Sequence, residues 1–219
     1  NGCGSGGLTT KALYDRGLGL VTEARDMQQQ PTCVAYDEFG RLTELSPPHP
    51  DPADPARGEC SPYPTVMVSY HLATPTRPYS IIETWTHNGA TPDVAEYVQS
   101  YGFVDGFGRT LVTLSEADPS AGDDGAFIAS DFTEYDAKSA VRRKYLQYFW
   151  DGDPLAFNLE AVPPAPYGSQ RYDAFGRQVQ TYDLDGTVTL QSVYHALCTD
   201  LYDAADLQPG PHQGTYAST

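Results

Sequence analysis

Three copies of one short phrase constrain this 219-residue chain more than any other feature: Asp37-Glu38-Phe39-Gly40-Arg41, Asp105-Gly106-Phe107-Gly108-Arg109 and Asp173-Ala174-Phe175-Gly176-Arg177. Tyr36 and Tyr172 precede two of them, and Val104 precedes the third. Asp at the first position of a type I turn bonds its own backbone two residues on. Gly at the fourth takes the left-handed conformation that closes a tight hairpin. The flanking aromatic and β-branched residues prefer pleated strands. Each phrase therefore predicts a hairpin tip, and its recurrence predicts a repeat protein.

Looser copies extend the pattern. Tyr14-Asp15 runs to Gly19-Leu20-Val21-Thr22, and Tyr36-Asp37 follows 22 residues later. That period suits two strands and two turns. Between them Asp26 to Pro31 turns the chain. Tyr135-Asp136-Ala137-Lys138-Ser139-Ala140 is a worn copy in which Ser139 replaces the Gly, which predicts a different turn there. Tyr182-Asp183-Leu184-Asp185-Gly186 turns between strands at 178–182 and 187–194. With 16 Tyr, 20 Gly and 18 Pro, the whole predicts an all-β fold of repeated hairpins with little or no helix.

Other stretches fall around that frame. Residues 65–70 and 79–86 alternate as strands, with Ile81 and Trp85 as core anchors. Residues 93–103 fit a helical face through Val94, Tyr97, Val98 and Tyr101, but the tip directly downstream requires an incoming strand. Asp118 to Gly125 reads as a polar loop, 127–135 as strand, and 203–211 as irregular coil. Residues 46–64, with Pro47, Pro48, Pro50, Pro52, Pro55, Pro62 and Pro64, cannot join a ladder. They form either a disordered linker or a surface insertion that leaves and rejoins one sheet, and the continuing repeat favours the insertion. Residues 163–168 make a second Pro-rich connector. The domain reading is one repeat array over 1–219.

Composition narrows the partners. A net charge of −16 repels a phosphate backbone, so nucleic acid is a poor partner and the charge serves solubility. No apolar run is long enough to span a membrane, and no leader is visible. The opening without Met, and the flexible lead-in from Asn1 to Gly7, read as part of a longer polypeptide. Cys3, Cys33, Cys60 and Cys198 allow one or two disulfides in any of three full pairings, or simply buried thiols.

Reaction chemistry is sparse. Gly2, Gly4 and Gly7 formally match a dinucleotide fingerprint, yet neither a strand nor a helix frames them. Asp183 and Asp185 lack the third ligand and closing Glu of a calcium loop. Asp118, Asp123 and Asp124 read as a solvated loop. Asp151 and Asp153 read as caps on backbone amides. The histidines 49, 71, 87, 195 and 212 are scattered and form no known catalytic spacing. Arg41, Arg109 and Arg177 are expected to pair with the neighbouring repeat's Asp or to stack on its Tyr. No catalytic residue, cofactor or metal is expected.

On these residues the chain resembles the YD-repeat (Rhs) family. Tyr36 to Leu42 and Tyr172 to Arg177 look like its tyrosine–aspartate repeats, and Tyr14 to Leu42 resembles two successive units. Val104 to Thr110, and the stretch from Tyr172 through Tyr202-Asp203 and Pro211-His212-Gln213-Gly214-Thr215, look more like the B component of bacterial insecticidal toxin complexes. The resemblance implies a hollow shell of wound hairpins that encloses a toxic or effector part. It implies flanking repeats of the same or a partner polypeptide as neighbours, and a secreted or surface location in bacteria. The family's auto-cleaving core domain and the B component's propeller have no counterpart here. The function expected is thus structural and non-enzymatic. A β-rich carbohydrate- or protein-binding module, with Tyr and Trp as its platform, is the alternative. The residues that carry the expected role are Tyr14, Asp15, Tyr36, Asp37, Gly40, Arg41, Asp105, Gly108, Arg109, Tyr135, Asp136, Tyr172, Asp173, Gly176, Arg177, Tyr182, Asp183 and Gly186.

Overall fold

A computed structural model describes residues 9–50, 58–89 and 94–219. Cys3 and the glycines of the lead-in, Pro52, Pro55 and Asp93 lie outside the described residues. Two compact units emerge, one from Asn1–Thr74 with Ser80–Tyr101, the other from Pro75–Tyr79 with Gly102–Thr219.

The first unit is an antiparallel meander. It takes β1 (Lys11–Tyr14), β2 (Val21–Arg25), β3 (Pro31–Tyr36), β4 (Leu42–Ser46), β5 (Val66–His71), β6 (Tyr79–His87) and the start of β7 (Tyr97–Asp105), in that spatial order. Neighbours in this order are also neighbours in sequence, and after β1, β2 and β3 the intervening turns are too short for any other partner. β7 settles the helix-or-strand ambiguity around residue 97 in favour of strand. Ile81 is fully buried as expected, whereas Trp85 is only half-buried.

Between β4 and β5 the chain departs and returns, and the two strands still pair, with Glu44 opposite Met67 and Leu45 opposite Val66. The prolines on this excursion do take part in bridging, contrary to expectation, because they contribute carbonyls. Pro47 accepts from the Ser61 N–H at 2.8 Å, and Pro48 bridges Cys60. A Cys33–Cys60 disulfide ties the excursion to β3, while Cys198 is a free, exposed thiol.

The second unit builds two antiparallel sheets. One continues from the end of β7 through β8 (Thr110–Glu116) and β9 (Phe127–Ser130) to β12 (Tyr148–Trp150). The other runs β10 (Thr133–Tyr135), β11 (Val141–Tyr145), β13 (Tyr167–Tyr172), β14 (Gln178–Tyr182), β15 (Val188–Tyr194), β16 (Thr199–Asp203) and β17 (Ala217–Ser218). Single 3₁₀ turns interrupt the polar loop at Pro119–Ala121 and the aromatic stretch at Pro154–Ala156.

The aromatic residues make the core of this unit. Phe157, 4% exposed, packs on Trp150, Phe103 and Phe132 with ring centroids 5.0, 5.4 and 6.3 Å apart. Phe103, Val112, Leu114 and Ala129 are fully buried around it. Asp153 caps the turn that delivers Phe157, accepting from the Leu155 N–H at 3.0 Å, and Asp151 accepts from the Ala126 N–H at 2.7 Å. Both carboxylates serve backbone amides, as their spacing in a turn suggested.

The coil expected over 203–211 is corrected. Asp203 belongs to β16 and caps a one-turn helix, α1 (Ala204–Leu207), through a capping box with Asp206. The sequence signal is Asp at the cap and an acid three residues on, a pair that satisfies two orphan N–H groups at once.

Candidate functional site

The hairpin tips are where the sequence concentrates its information, and their bonding is the same wherever the phrase is complete. In the 105–109 turn the Asp105 N–H donates to the Arg109 carbonyl and the Gly108 N–H to the Asp105 carbonyl, each at 3.0 Å. Asp105 Oδ1 accepts from the N–H groups of Phe107 (2.9 Å) and Arg109 (3.0 Å). Oδ2 takes the Arg109 side chain through Nε at 2.8 Å and Nη2 at 2.6 Å. One carboxylate thus organises the loop and then clamps its last residue. The 37–41 turn repeats this, with Nε of Arg41 2.7 Å from Asp37 Oδ2. So does the 173–177 turn, with Nε of Arg177 2.7 Å from Asp173 Oδ2. The fourth residue is left-handed in each, with φ of 76° at Gly40, 79° at Gly108 and 82° at Gly176.

The arginine therefore pairs with the Asp of its own turn, not with a neighbouring repeat's Asp. The reason is the loop: residues one and five of a three-residue hairpin face each other, so the guanidinium is already within reach. The other half of the expectation stands in the geometry, since each guanidinium stacks on a tyrosine outside its own hairpin. Arg41 lies 4.4 Å from the Tyr70 ring centroid, Arg109 4.0 Å from Tyr135 and Arg177 4.2 Å from Tyr194. The turn's own Phe also lies near each guanidinium, at 5.2, 5.2 and 5.4 Å. Phe39, Phe107 and Phe175 are 76%, 81% and 85% exposed, so they lie beside the guanidinium at the surface and do not enter a core.

These contacts also set the acidity of the clamp. Burial pushes the Asp105 carboxyl up, but bonds from the Arg109 side chain and backbone and from the Phe107 N–H outweigh it and hold it below the ordinary carboxylate range. Asp37 and Asp173 are lowered in the same way, again against the pull of burial.

Tyrosines join one turn to another. The Tyr36 hydroxyl donates to the Val21 carbonyl at 3.0 Å, Tyr135 to Thr110 at 3.3 Å and Tyr194 to Gln178 at 2.9 Å. In every case the acceptor is the residue just past the end of an earlier turn, 15–20, 105–109 or 173–177, with another turn lying between in the chain. Tyr14 stays largely exposed on β1. Tyr172 and Tyr182 donate instead to Gln170 and Gln180 on their own strands.

The remaining turns show what the phrase needs. At 136–140 the same backbone bonds form, the Asp136 N–H to Ala140 O at 2.8 Å and the Ser139 N–H to Asp136 O at 3.0 Å, and Asp136 Oδ1 accepts from Lys138 and Ala140. Ser139 takes φ 68°, so the predicted change of turn does not occur; the Asp imposes the loop and the serine bears the strain. Asp26 builds the same turn without Tyr, Gly or Arg, with Gln29 at φ 64° in the fourth place. The Asp15 loop is one residue longer, closed by Asp15 N–H to Leu20 O at 2.9 Å. At 183–187 the backbone pattern holds with Gly186 at φ 82°, but Asp185 and not Asp183 accepts the Thr187 N–H, at 2.8 Å.

Tyr70 and Tyr194 were missed as partners of the tips. Neither precedes an Asp; what marks them is the antiparallel register, which sets Arg41 level with Tyr70 and Arg177 level with Tyr194 when the pairings of β4 with β5 and β14 with β15 are continued. Among the described residues no group of three His, Cys, Asp or Glu is placed to hold a metal ion, and no helix is long and apolar enough to cross a membrane.

No protein-family model matches the chain, and no curated protein matches it. Solved structures do. The Tc holotoxin pore of Photorhabdus luminescens aligns over 97% of this chain and 15% of its own, at 16% identity and a TM-score of 0.73. The TcdB2-TccC3-Cdc42 crystal structure aligns over 97% of this chain and 15% of its own, at 16% identity and a TM-score of 0.70. The fold is that of a Tc toxin segment. TcdB2-TccC3 solved without its hypervariable C-terminal region also aligns, over 97% of this chain and 15% of its own at 15% identity and a TM-score of 0.67, so the shared fold does not depend on that region. The chain thus spans about a seventh of these Tc toxin chains, and every strand of the nearly all-β architecture expected from the hairpin phrases is antiparallel where its pairing is described.

Proposed function

We propose that this chain is a non-catalytic wall segment of a YD-repeat shell in a secreted toxin-complex protein, and that the shell encloses a toxin or effector part of the larger assembly. The observation that carries the reading is the relay of clamped turns. Each carboxylate fixes a tip, each guanidinium stacks on a tyrosine outside the hairpin, and the tyrosine hydroxyls at 36, 135 and 194 bond back to the strand that follows an earlier turn. Such a scheme spends its polar side chains on joining strands, which is what a wall requires. The Tc fold supports the same role. Flanking repeats of the same or a partner polypeptide would cover the edge strands, since an edge such as β1, exposed along its length, is a template for another strand.

The test is to express the chain together with its flanking polypeptide and to follow protease cleavage of the flanking part. Protection is expected with the wild type, and loss of protection when Asp37, Asp105 and Asp173 are all replaced by Ala. Equal cleavage in both would remove the enclosing role.

A further inference from the structure

One turn in the second unit lacks the side chain that completes its relatives. At 136–140 the fifth residue is Ala140 where Arg41, Arg109 and Arg177 stand elsewhere. Continuing the register of β11 with β13, in which Arg143 faces Ser169, brings Ala140 level with Tyr172, as Arg177 is level with Tyr194. Asp136 Oδ1 is used by the Lys138 and Ala140 N–H groups, but Oδ2, the atom that receives the guanidinium in the complete turns, accepts from none of the described residues. Among the described residues no guanidinium lies over the Tyr172 ring. Between Asp136 and Tyr172 there is an open cavity of about 360 Å³, lined also by Lys138, Arg142, Arg171 and Asp173.

We propose that this cavity is a guanidinium-binding site, filled by an arginine side chain that a partner polypeptide presents. The site offers what the three filled turns use: a carboxylate oxygen with its sister atom already engaged, and a tyrosine face beside it. A planar fork matches that pair better than an ammonium does. The cations on the rim do not fill it. The Lys138 ammonium is bound to the Ala174 carbonyl, and the Arg171 guanidinium lies over the Tyr182 ring, 5.0 Å from its centroid. Arg142 is exposed on the rim and is the one nearby competitor. The chain's charge of −16 draws a cationic partner in. This inference goes beyond the wall function and stands or falls without it.

The experiment titrates the 219-residue chain with N-acetyl-arginine methylamide and follows backbone amide resonances. Saturable shifts are expected at 136–140, at Tyr172 and at Asp173, which also lines the cavity, with the filled 37–41 and 105–109 turns unmoved, and the lysine analogue should bind more weakly. Asp136→Asn keeps the turn, because Asn also bonds its backbone two residues on, and should weaken binding about tenfold. Ala140→Arg should abolish the shifts while unfolding no earlier than the wild type, and Arg142→Gln should leave affinity unchanged or higher. Absence of saturable shifts, equal shifts at the filled turns, shifts that survive Ala140→Arg, or loss of binding in Arg142→Gln would each overturn the proposal.

Discussion

The turns at 136–140 and 173–177 belong to one sheet, share one backbone, and differ in three side chains, the first of them Lys138 where the other has Phe175. The second has Gly176 and Arg177 where the first has Ser139 and Ala140. Both keep the Asp carboxylate on the N–H groups two and four residues ahead. The loop therefore depends on the Asp. Gly lowers the strain of the left-handed residue, and Arg adds a link outward. The 26–30 turn makes the same point with neither Gly nor Arg.

That comparison breaks first at the fourth position. Gly176→Val puts a β-branched residue at φ 82°, where the built Cβ meets nothing within 4 Å, so the cost is backbone strain alone. We expect about 2–3 kcal/mol, read by urea unfolding. The converse change is milder. Ser139→Gly relieves the strain at φ 68° but frees the unfolded chain, for a net gain of about 0.5–1 kcal/mol and a rise in Tm of roughly 2–4 °C.

Ala140→Arg should raise stability by about 0.5–1 kcal/mol, the worth of an exposed cation–π contact. Arg177→Ala should lower it by a similar amount, and calorimetry on the two variants would show opposite shifts. Equal shifts of one sign would mean that the arginine is idle at both turns.

The smallest effect is in pH. The clamped Asp105 has its pKa below the ordinary carboxylate range in the folded state. Its contribution is therefore present above the unfolded value and is lost as pH falls through the folded one. The stability difference between wild type and Arg109→Gln, measured at pH 7 and again near pH 3, should shrink in acid. A gap that widens in acid would contradict the assigned direction.

Much of the fold was legible because the Asp turn is local. Five residues hold its bonds, so Asp37, Asp105 and Asp173 declare hairpins wherever they occur, and strands must flank them. Legibility failed where a residue acts through distance or under compulsion. Ser139 has no intrinsic taste for φ 68°; the Asp136 bonds that close the loop hold it there. Gln29 is the same case, with no motif to mark it. Tyr70, Tyr194 and Phe157 gain their partners only from register and from the layering of two sheets, and the Cys33–Cys60 bond, across a separation of 27, was one pairing among several.

The amino-acid order alone determined where this chain bends and that it is built from strands, because carboxylate-to-amide bonds within five residues need nothing from the rest of the molecule. The tertiary structure decided which tyrosine each arginine meets, which thiols join, and which turn is left with an open site. Those outcomes rest on contacts between residues far apart in the chain, and only the pairing of strands brings them together.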